Sequence, residues 1–339
     1  MTPQPQVLCF GEALVDRLGP PGGDPATDRP VDDCLGGAPA NGACALARLG
    51  TGSALLGRLG KDAIGAAFRE LFQARGVDTR ALQWDPLRPS RTVLVRRDRT
   101  GDRSFGGFAG DRGDGFADQA VEAAALAAPL QELIATARWL LVGTIPLASE
   151  ASAAALRLAL ERVAAAGIPL ALDVNWRPTF WPISAEQALA SLQPLLAAAA
   201  LIKVSAEEAD WIAGSRDPQR ISASLPQAPA VLITDGPGAL SWWLGGQVGR
   251  LEAFQVPVVD TTGAGDAFLA GLLHRLCQEP QLLASASAER VLEAMRFASA
   301  CGALACQGAG AIDPQPTQAQ VLAFLADSGS QNDGSMGGC

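Results

Sequence analysis

The stretch from Asp260 to Phe268, Asp-Thr-Thr-Gly-Ala-Gly-Asp-Ala-Phe, combines an acidic side chain with a glycine-rich turn. Apolar residues follow it at helical spacing, so it predicts a tight turn that leads into the N-terminus of a helix. Unpaired N–H groups and the positive end of the helix dipole make such a terminus a site for an anion, above all phosphate. Asp266 would repel that anion unless it had a task there, such as removing a proton from an attacking hydroxyl. A local explanation, a first-turn acid after an ordinary turn, stays open from this stretch alone.

Polar and glycine residues also follow five of the predicted strands, at the point where each strand ends. They are Asp16; Gly36, Gly37 and Asn41; Asp173, Asn175 and Arg177; Ser205 and Glu208; and Thr234, Gly236 and Gly238. Each of them has a local explanation as a cap, a turn or an ion-pair partner. Because ligands of parallel sheets bind at the carboxyl ends of the strands, their recurrence predicts a single ligand site.

Two familiar nucleotide-binding motifs are absent from the sequence. Gly60-Lys61-Asp62 lacks the Ser or Thr and the earlier glycine of a P-loop, and Phe268 stands where a dinucleotide fingerprint needs its third glycine. The sequence therefore argues against a P-loop ATPase and against a Rossmann dehydrogenase. An anion site next to an acid, without a motif lysine that binds phosphate, favours direct phosphoryl transfer to a hydroxyl.

Length and charge limit the classes to which the protein can belong. The chain has 339 residues, 48% of them hydrophobic, which fits one large domain with or without a smaller piece. Its net charge of −9, with no basic run of about five to eight residues, argues against a nucleic-acid or anionic-membrane partner. A strand-like segment that begins at Val7 leaves no room for a signal peptide, and no apolar run is long enough to span a membrane. We therefore expect a cytoplasmic protein.

Histidine and cysteine usage excludes several chemistries. His274 is the single histidine, and the sequence has no GxSxG elbow to pair with it, which argues against a serine-hydrolase triad. We predict a structural or surface role for His274. The seven cysteines form no CxxC pair and no Cys/His cluster, so we expect small buried residues in a reducing compartment.

Buried apolar strands alternate with helices from about residue 130 onward, which predicts an α/β fold with a doubly wound, mostly parallel sheet flanked by helices. Residues 7–16 predict one buried strand, broken at Gly11. The polar segments at about 14–35 and 91–110 do not fit this alternation, and we predict that they pair as a small β-sheet lid, with a hairpin turn at 98–101. Residues 1–326 form a single domain in this prediction, and the tail 327–339 is expected to be disordered.

Two glycine-rich segments carry a resemblance to a known family. GGAPANGACALARLG at 36–50 resembles the first signature of the PfkB, or ribokinase-like, sugar kinases, and DTTGAGDAFLAGLL at 260–273 closely resembles the second. The similarity extends from about residue 7 to residue 326. Within the family, GEALVD at 11–16, DVNWRPTFW at 173–181 and KVSAEEADW at 203–211 are most similar to fructokinases of the bacterial, particularly cyanobacterial, type.

The resemblance implies partners and a role for each motif residue. It implies a β-lid that often forms a dimer contact, ATP as the phosphoryl donor, Mg²⁺, and often a monovalent cation such as K⁺. Asp266 would be the catalytic base, with Gly263, Ala264 and Gly265 as the anion hole for the transferred phosphoryl group. The ligand positions that it implies are Asp16, Gly36, Gly37, Asn41, Asn175 and Arg177 for the sugar; Ser205, Thr234, Gly236, Gly238, Gly263 and Gly265 for the nucleotide; and Glu208, Asp260 and Gly310 for metal ions.

Two departures from the family pattern bear on the ligands. The nucleotide segment TDGPGA at 234–239 is one residue shorter than usual, and Phe108 in the lid is followed by Ala109, where related kinases often have Arg. An acidic sugar needs cations for its carboxylate, ideally a bidentate Arg, and Arg177 is the one that remains. A neutral ketohexose is therefore favoured, and we expect conversion of D-fructose to fructose 6-phosphate. Two alternatives stay open: a kinase for 2-keto-3-deoxygluconate or a nucleoside, and a catalytically silent sugar-binding regulatory protein.

Overall fold

The computed structural model describes residues 3–97, 103–110 and 115–333. Within these ranges the chain forms thirteen strands and eleven α-helices. The strands are β1 (Val7–Phe10), β2 (Leu14–Leu18), β3 (Asp32–Gly36), β4 (Ser53–Gly60), β5 (Leu82–Asp85), β6 (Arg91–Arg97), β7 (Arg103–Phe108), β8 (Trp139–Val142), β9 (Leu170–Asp173), β10 (Leu201–Ser205), β11 (Ala230–Thr234), β12 (Leu240–Leu244) and β13 (Gln247–Leu251). The helices are α1 (Ala38–Leu49), α2 (Ala63–Arg75), α3 (Ala123–Ile134), α4 (Glu150–Ala165), α5 (Ala185–Ala198), α6 (Ala206–Ala213), α7 (Pro218–Ser224), α8 (Ala264–Gln278), α9 (Gln281–Ala284), α10 (Ala288–Ala305) and α11 (Gln318–Asp333). Short 3₁₀ helices cover Ala117–Ala120, Ile145–Ala148 and Pro178–Phe180.

Of the described strands, nine form the larger sheet, in the order β13-β12-β11-β10-β9-β8-β1-β4-β5. The strands from β11 to β5 pair in parallel, and β12 and β13 add an antiparallel edge. Along β1, Val7 and Cys9 pack into one hydrophobic core and Leu8 and Phe10 into another, because successive side chains point to opposite faces. A strand buried on both faces needs helices on both sides, and the predicted mostly parallel sheet flanked by helices is confirmed.

The other four described strands form a separate small sheet, in the order β3-β2-β6-β7, as the sequence predicts. The predicted break at Gly11 is confirmed, but the segments on its two sides are not parts of one strand, because the chain leaves the large sheet after Phe10 and enters the small sheet at Leu14. Gly11 lies at this crossing with a φ of 148°, and a Cβ there would lie 2.6 Å from Cγ of Pro39. The predicted hairpin turn at 98–101 lies outside the described residues, but β6 and β7 on either side of it pair antiparallel.

The ends of two helices show how far local signals reach. Gly50 closes α1 in a left-handed conformation, with a φ of 98°, as its position in the sequence predicts. α11 continues to Asp333, beyond the point where we expected disorder to begin, and residues 334–339 lie outside the described ranges.

His274 is buried in α8 with its Nδ1 2.7 Å from the Thr51 hydroxyl oxygen, so its role is structural. In the part of the chain that the structure describes, no helix has the length and apolar character needed to cross a membrane.

Candidate active site

Gly263 forms the N-cap of α8 in a left-handed conformation, with a φ of 77°. A Cβ at this position would lie 2.7 Å from Cβ of Ala311, so both the turn and the close approach require glycine. The first N–H groups of an α-helix have no partner within the helix, and the first turn of α8 carries Asp266 among them. The turn has the geometry of an anion site, although the Ala264 N–H already donates to the Thr261 carbonyl oxygen at 3.2 Å.

Asp266 is held by Asn41, which comes from the other end of the chain. Asn41 Nδ2 donates to Asp266 Oδ2 at 2.7 Å, and this bond joins the two glycine-rich segments in space. Desolvation, and after it the Asp173 carboxylate, raise the pKa of Asp266 to about 6. The Lys203 ammonium and the Asn41 hydrogen bond act in the opposite direction. A carboxylate with this pKa accepts a proton more readily than an exposed aspartate and is still mostly ionised at neutral pH.

Lys203 is a buried cation at this site to which no role was assigned from the sequence. Its Nζ donates to both carboxylate oxygens of Asp173, at 2.9 and 3.0 Å. A Cβ on Gly265 would lie 2.9 Å from the same Nζ, so the ammonium lies against the first turn of α8. Burial lowers the pKa of Lys203, but the surrounding carboxylates outweigh burial and raise that pKa above its ordinary value. Lys203 is therefore charged beside the anion site.

Ser205 and Glu208 form a capping box at the start of α6. The Glu208 N–H donates to Ser205 Oγ at 3.1 Å, and the Ser205 N–H donates to Glu208 Oε2 at 2.8 Å. Glu208 Oε1 accepts from the Trp176 N–H at 2.5 Å, so the same carboxylate fixes the loop that carries Asn175 and Arg177. Asn175 has a left-handed φ of 37°, and Arg177 is exposed. Burial raises the pKa of Glu208, and its role as a metal ligand stays a prediction.

Asp260 links two loops beside the anion site. Its Oδ1 accepts from the N–H and the hydroxyl of Thr262, at 3.0 and 2.7 Å, and its Oδ2 accepts from the Gly310 N–H at 2.9 Å. The structure thus brings together Asp260 and Gly310, which are 50 residues apart in the chain. A cation bound at this pair stays a prediction.

Asp16 in the small sheet reaches the same edge as Asn41. Asp16 Oδ2 and Asn41 Oδ1 each lie 3.8 Å from a Cβ built on Gly36. Gly37 has a φ of 101°, and a Cβ there would lie 2.7 Å from the Glu12 carbonyl oxygen. Glycine at position 36 leaves room for a ligand between the Asp16 carboxylate and the Asn41 amide, whereas glycine at position 37 is required by its φ and by the Glu12 backbone.

The shortened nucleotide segment forms a tight turn directly after β11. Thr234 is the neighbour of Ser205 in the parallel pairing of β10 and β11, and its hydroxyl donates to the Val204 carbonyl oxygen at 3.3 Å. Gly236 has a left-handed φ of 52°, and the Gly238 N–H donates to the Asp235 carbonyl oxygen at 2.7 Å. The turn lies at the carboxyl edge of the sheet next to Ser205, and its contacts with a nucleotide stay a prediction.

A small pocket opens at this edge between the start of α1 and the start of α8. Asp173 and Asp266 line it, together with Ala38, Pro39 and Gly42. The arrangement offers a carboxylate that can take a proton next to an N-terminus and an ammonium group that can hold an anion. It therefore has the parts needed to move a phosphoryl group onto a hydroxyl.

Proteins of known structure and curated name are similar to this chain along nearly its whole length. The sequence profile of the pfkB family of carbohydrate kinases matches residues 4–318. The Arabidopsis thaliana protein named "Probable fructokinase-6, chloroplastic" is 34% identical over 322 residues, which cover 94% of this chain and 81% of the relative. The crystal structure of a fructokinase with bound ATP from Xylella fastidiosa has a TM-score of 0.82 and 29% identity, over 96% of this chain and 99% of that chain. A fructokinase from Vibrio cholerae O395, in a form with fructose, ADP and calcium ion bound, has a TM-score of 0.76 and 28% identity, over 95% of this chain and 99% of that chain.

Proposed function

Because the chain belongs to the pfkB family of carbohydrate kinases, we propose that it transfers the γ-phosphoryl group of ATP to the primary hydroxyl of D-fructose, forming fructose 6-phosphate. The observation that carries the proposal is the position of Asp266, in the first turn of α8 and with a pKa of about 6. The choice of substrates is supported by the relatives, since the Xylella fastidiosa fructokinase has ATP bound and the Vibrio cholerae fructokinase has fructose and ADP bound.

In the proposed reaction, Asp266 takes the proton of the sugar hydroxyl as the hydroxyl oxygen attacks the γ-phosphorus in line. The new O–P bond forms while the bond to the bridging oxygen breaks, and ADP leaves with that electron pair. The N–H groups at the start of α8 and the Lys203 ammonium meet the negative charge on the transferred oxygens. Asn41 orients Asp266 through its 2.7 Å hydrogen bond. Closure of the small sheet over the site would exclude water, which competes with the sugar as an acceptor.

The charges of the site fit a Mg²⁺ ion that binds together with ATP. Among the described residues, no three His, Cys, Asp or Glu side chains form a metal cage, but Mg²⁺ typically uses one or two carboxylates, water and the substrate phosphates. The buried carboxylates of Asp173 and Glu208, together with Asp266, outnumber the Lys203 ammonium around which they lie. Glu208 would hold the ion through its remaining lone pairs, and the ion would neutralise phosphate charge.

The loop before α8 supports two further parts of the proposal. We assign a monovalent cation such as K⁺ to Asp260 and the 308–314 segment, because Asp260 already joins that segment to the anion site. We assign the adenine ring to Val258 and Val259, whose side chains are 61% and 63% exposed directly before Asp260. Burial of these valines by a flat apolar ring would remove exposed hydrophobic surface from water.

The sugar pocket favours a neutral substrate. Asp16 and Asn41 offer carboxylate and amide oxygens to hydroxyl groups, whereas Ala109, directly after β7, offers no charge to a carboxylate. Arg177 is exposed, and its Nη1 donates to the Trp176 carbonyl oxygen at 3.0 Å. An acidic sugar such as 2-keto-3-deoxygluconate is the second candidate, because Arg177 lies close enough to Asp266 to lower its pKa.

A panel of acceptors tests the proposed function. The purified protein is given ATP and Mg²⁺ with fructose, 2-keto-3-deoxygluconate, ribose or adenosine, and ADP is measured in a coupled assay. We expect the highest kcat/KM with fructose. If kcat/KM is higher with the acidic sugar, that sugar and not fructose is the substrate. Sugar binding without ADP formation from any acceptor would favour the silent sugar-binding protein and overturn the kinase.

The pKa of Asp266 predicts the acid limb of the pH profile. Because the base must be ionised, kcat/KM for fructose is expected to be constant near pH 7 and above. It should fall by about tenfold per pH unit below the Asp266 pKa of about 6. Initial rates at subsaturating fructose between pH 5 and pH 8 measure this limb, with coupling enzymes in excess at each pH. An acid limb near pH 4, the ordinary range of aspartate, would contradict a desolvated base.

Gly263→Ala is expected to lower kcat by ~10²-fold, since it displaces N–H donors that face the transferred oxygens. The new methyl group would collide with Ala311, and the backbone would have to leave its φ of 77°. Gly167→Ala is the matched control, because Gly167 has a similar φ of 70° with open space around its Cβ position. Steady-state rates give kcat, and thermal unfolding gives the stability, of both variants. Equal kinetics in the two variants would show that Gly263 serves only the fold.

We also propose that two copies associate through their small sheets. β7 is one of the two edge strands of that sheet among the described strands, with β3 at the other edge, and Phe105 on β7 is 42% exposed. Light scattering should show a dimer for the wild type and a monomer for Phe105→Asp, and a monomeric wild type would refute the proposal. The cytoplasmic location stays a prediction from the sequence.

A further inference from the structure

Arg91 is a buried arginine at the first position of β6, where the chain enters the small sheet for the second time. It is 3% exposed, and its Nε donates to Asp118 Oδ2 at 2.8 Å. The preceding residue is also fixed, because the Ser90 N–H donates to Asp62 Oδ2 at 2.7 Å, at the N-cap of α2. β6 pairs in parallel with β2, the strand that carries Asp16. Two successive residues therefore attach the base of the small sheet to the rest of the domain.

The Arg91 guanidinium also lies among three phenylalanine rings from separate segments. Its Cζ is 4.9 Å from the ring centroid of Phe108, 4.7 Å from that of Phe116 and 5.0 Å from that of Phe180. Phe108 ends β7 of the small sheet, whereas Phe180 follows the loop that carries Arg177. The rings of Phe108 and Phe180 pack edge to face at 5.1 Å. Because contacts of a desolvated cation with aromatic rings are attractive, Arg91 holds β7 against that loop.

The partners of Arg91 on the other side belong to the body of the domain. The Asp118 carbonyl oxygen accepts from the Ser152 hydroxyl of α4 at 2.7 Å. Glu12, Arg91 and Asp118 line one small pocket. Within the described residues, Glu12 Oε2 and Asp118 Oδ1 are buried without a hydrogen-bond partner. The guanidinium is the ion-pair partner of the buried Asp118 carboxylate, so a neutral side chain at position 91 would leave that carboxylate unpaired.

We propose that Arg91 is a positioning residue, which holds the small sheet in the orientation that brings Asp16 to the sugar. The inference rests on the proposed sugar-kinase function and adds to it the residue that sets the affinity for the sugar. Arg91 contacts Asp118 and the three rings, while ATP is assigned to the other side of the site, at Lys203 and α8. Its loss should therefore affect the sugar and not the nucleotide.

Arg91→Met tests the proposal, because methionine fills similar space without the charge. We expect the KM for the sugar to rise by ~10-fold or more, since small displacements of positioning groups have large effects, while the KM for ATP stays near that of the wild type. Arg91→Lys restores the charge but not the planar stack, so its sugar KM should lie between the two. Hydrogen exchange should be faster in β6 and β7 of Arg91→Met than in the wild type.

Arg58→Met is the matched control, since it removes a buried arginine that lies in the large sheet. Arg58 is 9% exposed, its Nε lies 3.0 Å from Asp85 Oδ2, and its Nη1 donates to the Ala120 carbonyl oxygen at 2.9 Å. It thus contacts the same 3₁₀ helix as Arg91 but from β4. We expect a lower unfolding temperature in this variant, with sugar KM and hydrogen exchange in β6 and β7 unchanged.

An equal rise of the sugar KM in Arg58→Met and Arg91→Met would overturn the proposal, as would a rise of the ATP KM as large as that of the sugar KM. If Arg91→Met does not fold, Phe180→Leu removes a ring from the opposite side of the contact. It should raise the sugar KM, and an unchanged KM there would also overturn the proposal. The assays use whichever sugar the wild type phosphorylates best, and hydrogen exchange needs no turnover. Failure of the kinase proposal is therefore distinguishable from failure of the Arg91 proposal.

Discussion

Replacing Asp266 with asparagine is expected to lower kcat by at least ~10²-fold, while the Kd values for sugar and ATP stay near those of the wild type. Asparagine has nearly the same shape and can keep an interaction with Asn41, whose Nδ2 lies 2.7 Å from Asp266 Oδ2. It cannot accept the proton of the attacking hydroxyl. The remaining rate would come from the positive groups around the transferred phosphoryl group, which the variant retains. Initial rates and calorimetric titration with each substrate measure the two quantities separately.

The alternative, that Asp266 is an ordinary first-turn acid, makes a different prediction. Glu289 is a first-turn acid at the start of α10, where it is exposed. Glu289→Gln should reduce stability by a few tenths of a kcal/mol through the helix dipole and leave kcat unchanged. If Asp266→Asn behaves like this control, with unchanged kcat and slightly lower stability, Asp266 has no part in the chemistry. The proposed mechanism would then lose its base.

The start of α8 and the layout of the large sheet could be predicted because their signals are local. Gly263 must adopt a φ of 77°, and the apolar residues that follow have the helical period that places Asp266 in the first turn. Strands such as β1 are apolar at each position because helices cover both faces, so a continuous apolar run indicates a parallel sheet. Each of these inferences needs only a few neighbouring residues.

Lys203 shows what such signals leave out. The sequence has two lysines, and this one stands inside the apolar strand LIKVS, where a charge implies a buried partner. That partner is Asp173, which is its direct neighbour in the parallel pairing of β9 and β10. Parallel register is set by the crossover helix and the packing of both faces, which no short motif records. The lysine could be noticed from the sequence, but its place beside α8 could not.

The small sheet was only partly predictable for a related reason. Alternation at 91–105 and the polar composition of both segments indicated a small sheet near 14–35 and 91–110, but the apolar run through Gly11 looks the same whether it stays in one sheet or crosses to another. At the crossing, Gly11 lies against Pro39 of α1, and the apolar pattern of the sequence does not record this tertiary contact. The ion pair of Arg91 with Asp118 likewise depends on how two segments 27 residues apart meet in space.

Lys203→Met is expected to lower kcat/KM for ATP by ~10²-fold or more, because it removes a preorganised positive charge from the phosphate side of the site. Methionine keeps the apolar stem but loses the ammonium between Asp173 and the first turn of α8. The variant should also unfold more easily, by about 3 kcal/mol, since a buried carboxylate loses its partner. Because Lys203 lowers the pKa of Asp266, its loss should raise that pKa and move the acid limb of the pH profile above pH 6.

A second substitution separates the effect on stability from the effect on catalysis. Lys203→Met/Asp173→Asn removes the unpaired carboxylate, so it should regain much of the lost stability. It should also move the acid limb back to lower pH, because Asp173 raises the pKa of Asp266. The kcat/KM for ATP should stay low, whereas Lys61→Met, at the exposed lysine, should change none of these quantities. Recovery of ATP turnover together with stability would mean that Lys203 serves only to neutralise Asp173. The N–H groups of α8 and the accompanying metal ion would then hold the phosphates without it.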